Sequence, residues 1–371
     1  MTPQEQFCPN TACRARGKRG EGNIGVHSQQ ERRYICHTCG KTFSETTGTA
    51  MYGVKKGVEL FVIVIALITN GCPIQAIVVA FGLDVRTVRD WVKKAGIHCK
   101  EVHEYFMEET ALDLEQIQAD EIKVKAQGGS LWMAMAMMVR TRLWLGGTVS
   151  PKRDKHLIRQ LAGQVRQWAL CRAILVAVDG FSAYAKAFKQ AFRTPVKEKK
   201  KRGRPRLWEW PEVNIVQVIK RRTGKTFSIT RRIAQGDADQ VEQLVQSSQG
   251  QEGAINTSYI ERLNGTFRQR LASLARRTRA LVRAPDTLEW GMYLVGCVYN
   301  LCTHHHSLRL PIFLPRDRVH WVKRTPAIAA GLTDHRWTIH ELLTFKRPPP
   351  PFVPPKRRGR PPKLLLAEAV S

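Results

Sequence analysis

The amino-acid sequence predicts an α/β fold in which helices flank a mixed β-sheet, with two small domains in front of it. The apolar run Ile174–Val178 is short and rich in Val and Ile, which is typical of a buried central strand. The alternating segment IQADEIKVKA (117–126) predicts a second strand. Paired cysteines near the start of the chain and a helical pattern over 55–97 predict the two small domains.

The composition predicts a nucleic-acid partner. The chain has 371 residues, with 60 Lys and Arg against 31 Asp and Glu, so its formal net charge is +29. A charge of this size repels itself unless a polyanion is near, which favours nucleic acid first and an anionic membrane second. The most apolar stretch, Val58–Ile68, has 11 residues, whereas a membrane-spanning helix needs about 20. We therefore expect no membrane association and a cytoplasmic, nucleoid-associated protein.

Four cysteines predict a zinc ribbon within residues 1–50. Cys8 and Cys13 form a C-x4-C pair, and Cys36 and Cys39 form a C-x2-C pair 22 residues later. Such short spacings allow two knuckles to place four thiolates tetrahedrally around Zn²⁺. Unliganded or redox-active thiols are the alternative. Because so small a ribbon cannot bury enough surface to fold alone, we expect a structural Zn²⁺ ion.

Residues 55–97 predict a helix-turn-helix DNA-binding domain. Pro73 suits a helix start, Gly82 suits a turn, and Asp84 suits the N-cap of the next helix. An ordinary helical hairpin is the alternative, but the exposed face of the second helix is basic, which favours DNA. Four residues of that face are expected to contact the major groove: Arg86, Thr87, Arg89 and Lys93.

Three carboxylates occupy comparable positions. Asp179 ends the central strand, at the sheet edge where active sites gather, and Asp120 lies on the alternating strand. Glu261 lies on the amphipathic helix predicted over 256–271. If the fold brings the three together, their oxygens form a ligand set suited to Mg²⁺. Glu121 is expected on the opposite face of the sheet and is not predicted as a ligand.

The helix that carries Glu261, predicted to run from Tyr259 to Arg283, is unusually rich in arginine. Seven arginines lie between positions 262 and 283, with almost no acidic residues to pair with them. A solvated basic face is the alternative, but unpaired arginines at this density favour contact with phosphate.

These residues resemble a family, the DDE transposases of bacterial insertion sequences, nearest to the insertion sequence 1 type. The three acids carry the resemblance, together with the pattern E-R-x-N-G-x-x-R that begins at Glu261. It covers roughly residues 8–345. It implies an RNase H-like catalytic domain over 115–345, and the predicted order of three strands, a crossover helix and a fourth strand agrees with that domain.

The resemblance implies an enzyme that cleaves element ends and joins them to target DNA. Asp120, Asp179 and Glu261 would hold two Mg²⁺ (or Mn²⁺) ions for phosphodiester hydrolysis and then strand transfer. Asn264 would contact sugar or phosphate, and Arg268 would steady the strand near the metals. The expected partners are double-stranded DNA, both element ends and target, and further copies of the chain.

Two short basic motifs resemble AT-hooks. One lies in a basic insertion over 195–211, and the other in a proline-rich tail over 346–371. An extended Arg-Gly-Arg fits a narrow A·T minor groove, although short basic loops without this role are common. Both segments are expected to be disordered without DNA. Their groove-contacting residues would be Arg202 and Arg204, and Arg358 and Arg360.

Two other functions fit parts of the sequence. A sequence-specific DNA-binding regulator without catalytic activity accounts for the charge, but leaves Asp179 as an unpaired carboxylate on a buried strand, which is costly. A recombinase with a covalent nucleophile at Ser258 or Tyr259 needs a set of activating basic groups, and the sequence shows no such arrangement.

Overall fold

The computed structural model describes residues 2–197, 203–224, 226–315 and 318–354. They fall into two compact units. One comprises residues up to 48 together with those from 346 onward, and the other is Thr49–Phe345. The second unit therefore contains both the region predicted as a helix-turn-helix and the region predicted as catalytic. None of the described helices is long and apolar enough to cross a membrane.

The first unit is built on a small antiparallel sheet. Its strands are β1 (Ile24–Ser28), β2 (Arg33–Cys36) and β3 (Thr42–Ser44). Tyr34 is fully buried and stacks on Phe43, with ring centroids 5.8 Å apart. Besides these rings, the buried core is mostly cysteine, so little apolar surface is available to hold the sheet.

The beginning of the predicted tail also belongs to this unit. The Arg16 guanidinium donates to the carbonyl oxygens of Pro350 and Pro351, both at 2.6 Å, and lies 5.5 Å from the centre of the Phe352 ring. These contacts place residues 350–352, in the predicted tail, beside Arg16. Residues 355–371 lie outside the described residues.

Three helices open the second unit: α1 (Val58–Thr69), α2 (Ile74–Phe81) and α3 (Val85–Glu109). Gly82 ends α2 in the left-handed conformation, with a φ of 58°. The Asp84 side chain caps α3 by accepting a hydrogen bond from the Arg86 backbone N–H at 2.7 Å. Turn and cap therefore lie where their residue types predict them.

The remaining strands and helices follow in chain order. The strands are β4 (Gln116–Ala126), β5 (Gly129–Met138), β6 (Trp144–Ser150), β7 (Ile174–Asp179), β8 (Arg193–Val196), β9 (Arg206–Glu209), β10 (Val213–Thr223), β11 (Thr226–Gln235), β12 (Leu310–Leu314) and β13 (Arg318–Val322). The helices are α4 (Lys155–Trp168), α5 (Ser182–Ala191), α6 (Ala238–Gln249), α7 (Ser258–Arg270), α8 (Pro285–Cys297), α9 (Pro326–Ala329) and α10 (Ile339–Thr344). A π-helical turn, Val298–Cys302, extends α8.

The central sheet has six strands in the order β11-β10-β7-β4-β5-β6. β4, β5 and β6 are antiparallel neighbours, β7 and β10 run parallel to β4, and β11 returns antiparallel to β10. β8 with β9, and β12 with β13, form separate two-stranded sheets. The predicted mixed sheet flanked by helices is thus confirmed.

Helices cover both faces of this sheet. Val176 and Val178 of β7 pack in a buried cluster with α4 and α5, whereas Leu175 packs with α6. Ile122 of β4 packs in the cluster that contains α1, α3, α7 and α8. Because side chains alternate along a strand, Asp120 faces the same side as α7, and Glu121 faces the side of α5.

The helix α3 continues through Gly96, one residue before the predicted domain boundary at 97. A Cβ atom at Gly96 would lie 2.4 Å from the Cβ of Trp290 and 2.8 Å from its carbonyl oxygen. Gly96 is thus the place where α3 and α8 cross in close contact. Gly96 therefore allows close packing in the middle of a 25-residue helix, which continues past the predicted boundary.

Gly96→Ala is expected to destabilise the protein by about 1–3 kcal/mol, because the added methyl group overlaps the backbone of α8. Gly163→Ala is the matched control, since Gly163 lies within α4 and an added Cβ there meets nothing within 4 Å. That control should be neutral or stabilising by up to about 1 kcal/mol. Urea unfolding of both variants measures the difference. Equal stabilities would contradict the close crossing.

Candidate functional site

Two of the predicted acids are brought together by strand pairing. β4 and β7 run parallel, and their last paired residues are Ala119 and Val178. The next residue on each strand is an aspartate, so Asp120 and Asp179 lie side by side at the carboxyl end of β7. The backbone N–H of Phe181 donates to Asp179 Oδ1 at 2.9 Å, which fixes this carboxylate over the turn that follows.

The third member of the acidic cluster is Glu121. Carboxylate oxygens of Asp120, Glu121 and Asp179 all lie within 4.8 Å of one another. Glu121, which was not predicted as a ligand, is therefore a candidate ligand by position. Its backbone does point to the α5 side, but β7 ends at Asp179. Beyond Asp179, β7 no longer lies beside β4 to separate the two faces of the sheet. The Glu121 side chain can therefore pass the end of β7 and reach the aspartates.

Glu261 lines the same cleft but lies outside this oxygen cluster. The cleft has a volume of about 500 Å³, and its walls include Asp120, Asp179 and Glu261; we call it the acid cleft. Glu261 lies in the first turn of α7, where its carboxylate pairs with Lys220 of β10 and accepts a hydrogen bond from Thr257 Oγ1 at 2.9 Å. Of the three acids predicted to converge, Asp120 and Asp179 lie in one oxygen cluster, whereas Glu261 shares only the cleft.

Two basic side chains neutralise the acids. Arg153, just before α4, pairs with Glu121 and with Asp179, the latter at 3.3 Å. Its guanidinium also lies 4.4 Å from the centre of the Phe181 ring. Lys220 pairs with Glu261. These cations offset part of the negative charge of Glu121, Asp179 and Glu261, and a divalent metal ion would compete with them for the same oxygens.

Asn264 and Arg268, predicted one and two turns after Glu261, have different surroundings. Asn264 is buried, and its Nδ2 donates to Asp120 Oδ2 at 2.8 Å. Its Oδ1 has no hydrogen-bond partner among the described residues. Arg268 is half-buried and is not among the residues that line the acid cleft. Asn264 therefore orients a cluster carboxylate, whereas Arg268 has no contact with the cluster in this structure.

The electrostatics of the cluster are those of crowded carboxylates. Burial raises the pKa of Asp120 to about 7, and the charges of Glu121, Asp179 and Glu261 act in the same direction. Burial also raises the pKa of Glu121, against the hydrogen bond from Tyr184 Oη at 2.6 Å. Binding of a cation would relieve this repulsion, which fits the oxygen set to a divalent metal.

Removal of the Asp120 charge is expected to stabilise the metal-free protein above pH 7. An unfolded aspartate loses its proton near pH 3.8, whereas folded Asp120 retains it to about pH 7. The folded state thus binds the extra proton between these values, so the free energy of unfolding falls as the pH rises from about 4 to 7. The free energy of unfolding of Asp120→Asn should therefore exceed that of wild type by roughly 2–4 kcal/mol at pH 8 in EDTA. At pH 4 the two proteins should differ little in stability.

Thermal or urea unfolding at the two pH values measures this effect. Asp239→Asn, an exposed aspartate of α6, serves as the control and should show no gain that depends on pH. A wild-type protein as stable as Asp120→Asn at both pH values would show that the Asp120 carboxylate is not strained in the fold.

The four N-terminal cysteines form a second candidate metal site. Their sulfur atoms all lie within 4.8 Å of one another, with Cys8 and Cys39 3.7 Å apart and Cys13 and Cys36 3.8 Å apart. A tetrahedral Zn²⁺ with Zn–S bonds of about 2.3 Å requires sulfur separations of about 3.8 Å. The donor set and its spacing therefore fit a zinc ion.

The predicted DNA-contacting residues of α3 lie mostly on its surface. Arg86, Arg89 and Lys93 are exposed, and Thr87 is half-buried. Of the predicted AT-hook residues, Arg204 is exposed. The other three lie outside the described residues: Arg202, Arg358 and Arg360.

Sequence reasoning missed the groups that surround the acids. Arg153, Tyr184 and Lys220 come from three different elements, and in this basic chain no spacing distinguishes them from other residues of their types. Only Tyr184 carries a signal, since it lies on the helix that follows Asp179 and faces inward. Comparison with known families and with curated proteins finds no family model and no curated sequence that matches this chain.

Proposed function

We propose that the protein is a DDE-type DNA transposase with an RNase H-like catalytic domain. It would cleave element ends and join them to target DNA by Mg²⁺-dependent hydrolysis and strand transfer. One observation carries the proposal. Two aspartates on adjacent parallel strands lie in one cleft with the glutamate of the E-R-x-N-G-x-x-R pattern, in a chain of net charge +29.

Strand order supports this assignment. The sheet contains three successive antiparallel strands, then the crossover helix α4, then a parallel strand next to the first. That is the order along the chain that the resemblance implies. The acids lie at the carboxyl ends of strands, where α/β sheets place their active sites.

The chain's own residues define what this site would do. Asp120 and Asp179 would hold the metal ions, with Asn264 fixing the orientation of Asp120 through its hydrogen bond. Bound Mg²⁺ would supply charge stabilisation for the attacking oxygen and for the leaving 3′ oxygen. Glu261 would complete the ligand set once Lys220 is displaced. Arg153 and Lys220 would then be free to contact the phosphate backbone.

The two predicted small domains would provide DNA recognition. The exposed basic residues of α3 would enter the major groove as the second helix of a helix-turn-helix. The cysteine cluster would hold a structural Zn²⁺ ion, and the basic Arg-Gly-Arg motifs would add minor-groove contacts. Further copies of the chain would be needed to bring two element ends together.

A DNA-binding regulator without catalytic activity is the second candidate, and one observation favours it. Each acid that lines the cleft has a protein partner: Asn264 donates to Asp120, Arg153 pairs with Asp179, and Lys220 pairs with Glu261. The objection that Asp179 would be left unpaired is therefore removed. In a regulator, these ion pairs would be permanent structural contacts.

Calorimetric titration of Mn²⁺ into the full chain separates the two candidates. The transposase proposal predicts binding to wild type that is lost in Asp179→Asn and retained in the surface control Asp239→Asn. DNA binding measured in EDTA should survive in all three proteins. A wild-type protein that binds DNA tightly but takes up no Mn²⁺ beyond the cysteine cluster would instead favour the regulator.

A further inference from the structure

The second unit contains another cavity, which the proposed chemistry does not use. It has a volume of about 370 Å³, and its walls carry Arg142, Arg262 and Arg270. We call it the arginine pocket. It lies between α7, the turn that joins β5 to β6, and the π-helical extension of α8.

The arginine pocket and the acid cleft use different sides of one helix. Tyr259, Arg262 and Thr266 of α7 line the pocket at successive turns, whereas Glu261 lines the cleft. With 3.6 residues per turn, these two sets point in roughly opposite directions. A single rigid helix therefore sets the distance between an acidic site and a basic one.

The pocket carries uncompensated positive charge. No carboxylate is among its described lining residues, and none of the three arginines forms an ion pair with a residue that the structure describes. Arg142 and Arg270 are nevertheless half-buried. Half-buried cations without a counter-ion are costly, so this arrangement favours an anionic ligand.

Each guanidinium keeps donors available for such a ligand. Arg142 Nη1 donates to the Val139 carbonyl, and Arg270 Nη1 donates to Thr303 Oγ1 at 3.0 Å. A guanidinium has five N–H donors in a planar fork that matches phosphate oxygens. Several donors on each side chain therefore remain for oxygens inside the pocket.

Arg142 is held in an unfavourable backbone conformation by contacts with two tyrosines. Its φ of 58° lies in the left-handed region, which costs a non-glycine residue conformational free energy. Tyr299 Oη donates to the Arg142 carbonyl at 3.1 Å, and the guanidinium lies 3.8 Å from the centre of the Tyr259 ring. The side chain is thereby fixed at the pocket before any ligand arrives.

We propose that the arginine pocket binds a phosphate group, and that in the DNA complex this is a backbone phosphate of the strand that enters the acid cleft. The DNA part of the proposal rests on the proposed function, whereas the phosphate chemistry does not. The volume lies within the range of about 300–1,000 Å³ found for small-ligand sites, so a phosphate with an attached sugar has room. A free phosphate or nucleotide is the other source of the same group.

The test uses full-length protein and two ligands. Inorganic phosphate is added at constant ionic strength while the thermal unfolding midpoint is followed, and a labelled 20-base-pair duplex is titrated in EDTA by fluorescence anisotropy. The double variant Arg142→Gln/Arg270→Gln is compared with Arg231→Gln/Arg232→Gln, two exposed arginines of β11 that do not line the pocket. Both double variants remove the same charge.

We expect the pocket variant to lose the stabilisation by phosphate and to bind the duplex at least about tenfold more weakly than the control variant. The single variant Arg262→Gln, at an exposed position, should also reduce both the stabilisation by phosphate and the affinity for the duplex. It keeps the test valid if the double variant does not fold. Pocket variants that match the control with both ligands would overturn the proposal.

The remaining outcomes are separable. Loss of the phosphate effect with unchanged duplex binding would overturn the DNA assignment and leave a free phosphate or nucleotide as the ligand. Absence of Mn²⁺ binding in wild type, with the arginine effects intact, would contradict the proposed transposase while supporting the phosphate site.

Discussion

Asp120→Asn is expected to lower the rate of Mg²⁺-dependent DNA strand cleavage by about a thousandfold, or roughly 4 kcal/mol in activation free energy. The Asp120 carboxylate lies within 4.8 Å of those of Glu121 and Asp179, at the carboxyl end of β7. An amide keeps the shape of the side chain but cannot supply the negative charge that a divalent ion requires. Because the same substitution is expected to stabilise the metal-free fold above pH 7, unfolding cannot account for the loss.

Controls for this measurement come from the same chain. Asp239→Asn, on the surface of α6, should cleave like wild type. Glu261→Gln should lose activity to a similar degree if metal binding displaces Lys220, whereas Glu121→Gln should lose less if Glu121 serves only to hold Arg153. If Asp120→Asn cleaved DNA at the wild-type rate, Asp120 would not be a catalytic residue.

Removal of zinc is expected to unfold the first unit. Its buried core is dominated by cysteines, with Tyr34 and Phe43 as the main apolar contact. Zinc binding to small cysteine domains supplies roughly 10–16 kcal/mol of apparent free energy, far more than so small a core can provide. Purified protein should contain one zinc per chain at the cysteine cluster, and chelation should abolish the protection of the β2 amides from hydrogen exchange.

A matched pair of cysteine variants checks the same point. Cys36→Ser should prevent zinc uptake and leave the ribbon unfolded, because Cys36 is buried in the cluster. Cys171→Ser removes an exposed thiol elsewhere in the chain and should leave zinc content unchanged. Protection of β2 that persists in the chelated protein would show that the ribbon folds without metal.

Much of this fold follows from local patterns that tertiary contacts do not override. The run Ile174–Val178 is a fully buried strand, and the alternating segment 117–126 lies entirely within β4. The cysteine spacing predicts the sulfur cluster because knuckle geometry is set by residues close in sequence. Strand period and short-range spacing are local properties, so these elements could be predicted without a structure.

The site details that sequence missed depend on distant parts of the chain. Whether Glu121 reaches the aspartates depends on where β7 ends, more than fifty residues away. The role of Gly96 depends on Trp290, and the surroundings of Glu261 depend on Lys220. The arginine pocket likewise joins a turn, a helix and a π-helical segment. No pattern within one segment contains this information.

Strand cleavage of an end-bearing DNA duplex by wild type and by Asp179→Ala, each with Mg²⁺ and with EDTA, tests the central claim most directly. We expect cleavage that leaves a 3′-hydroxyl only in the wild-type reaction with Mg²⁺, because Asp179 lies in the oxygen cluster at the carboxyl end of β7. Cleavage by Asp179→Ala at the wild-type rate, or cleavage by wild type in EDTA, would contradict a metal-dependent active site at this position.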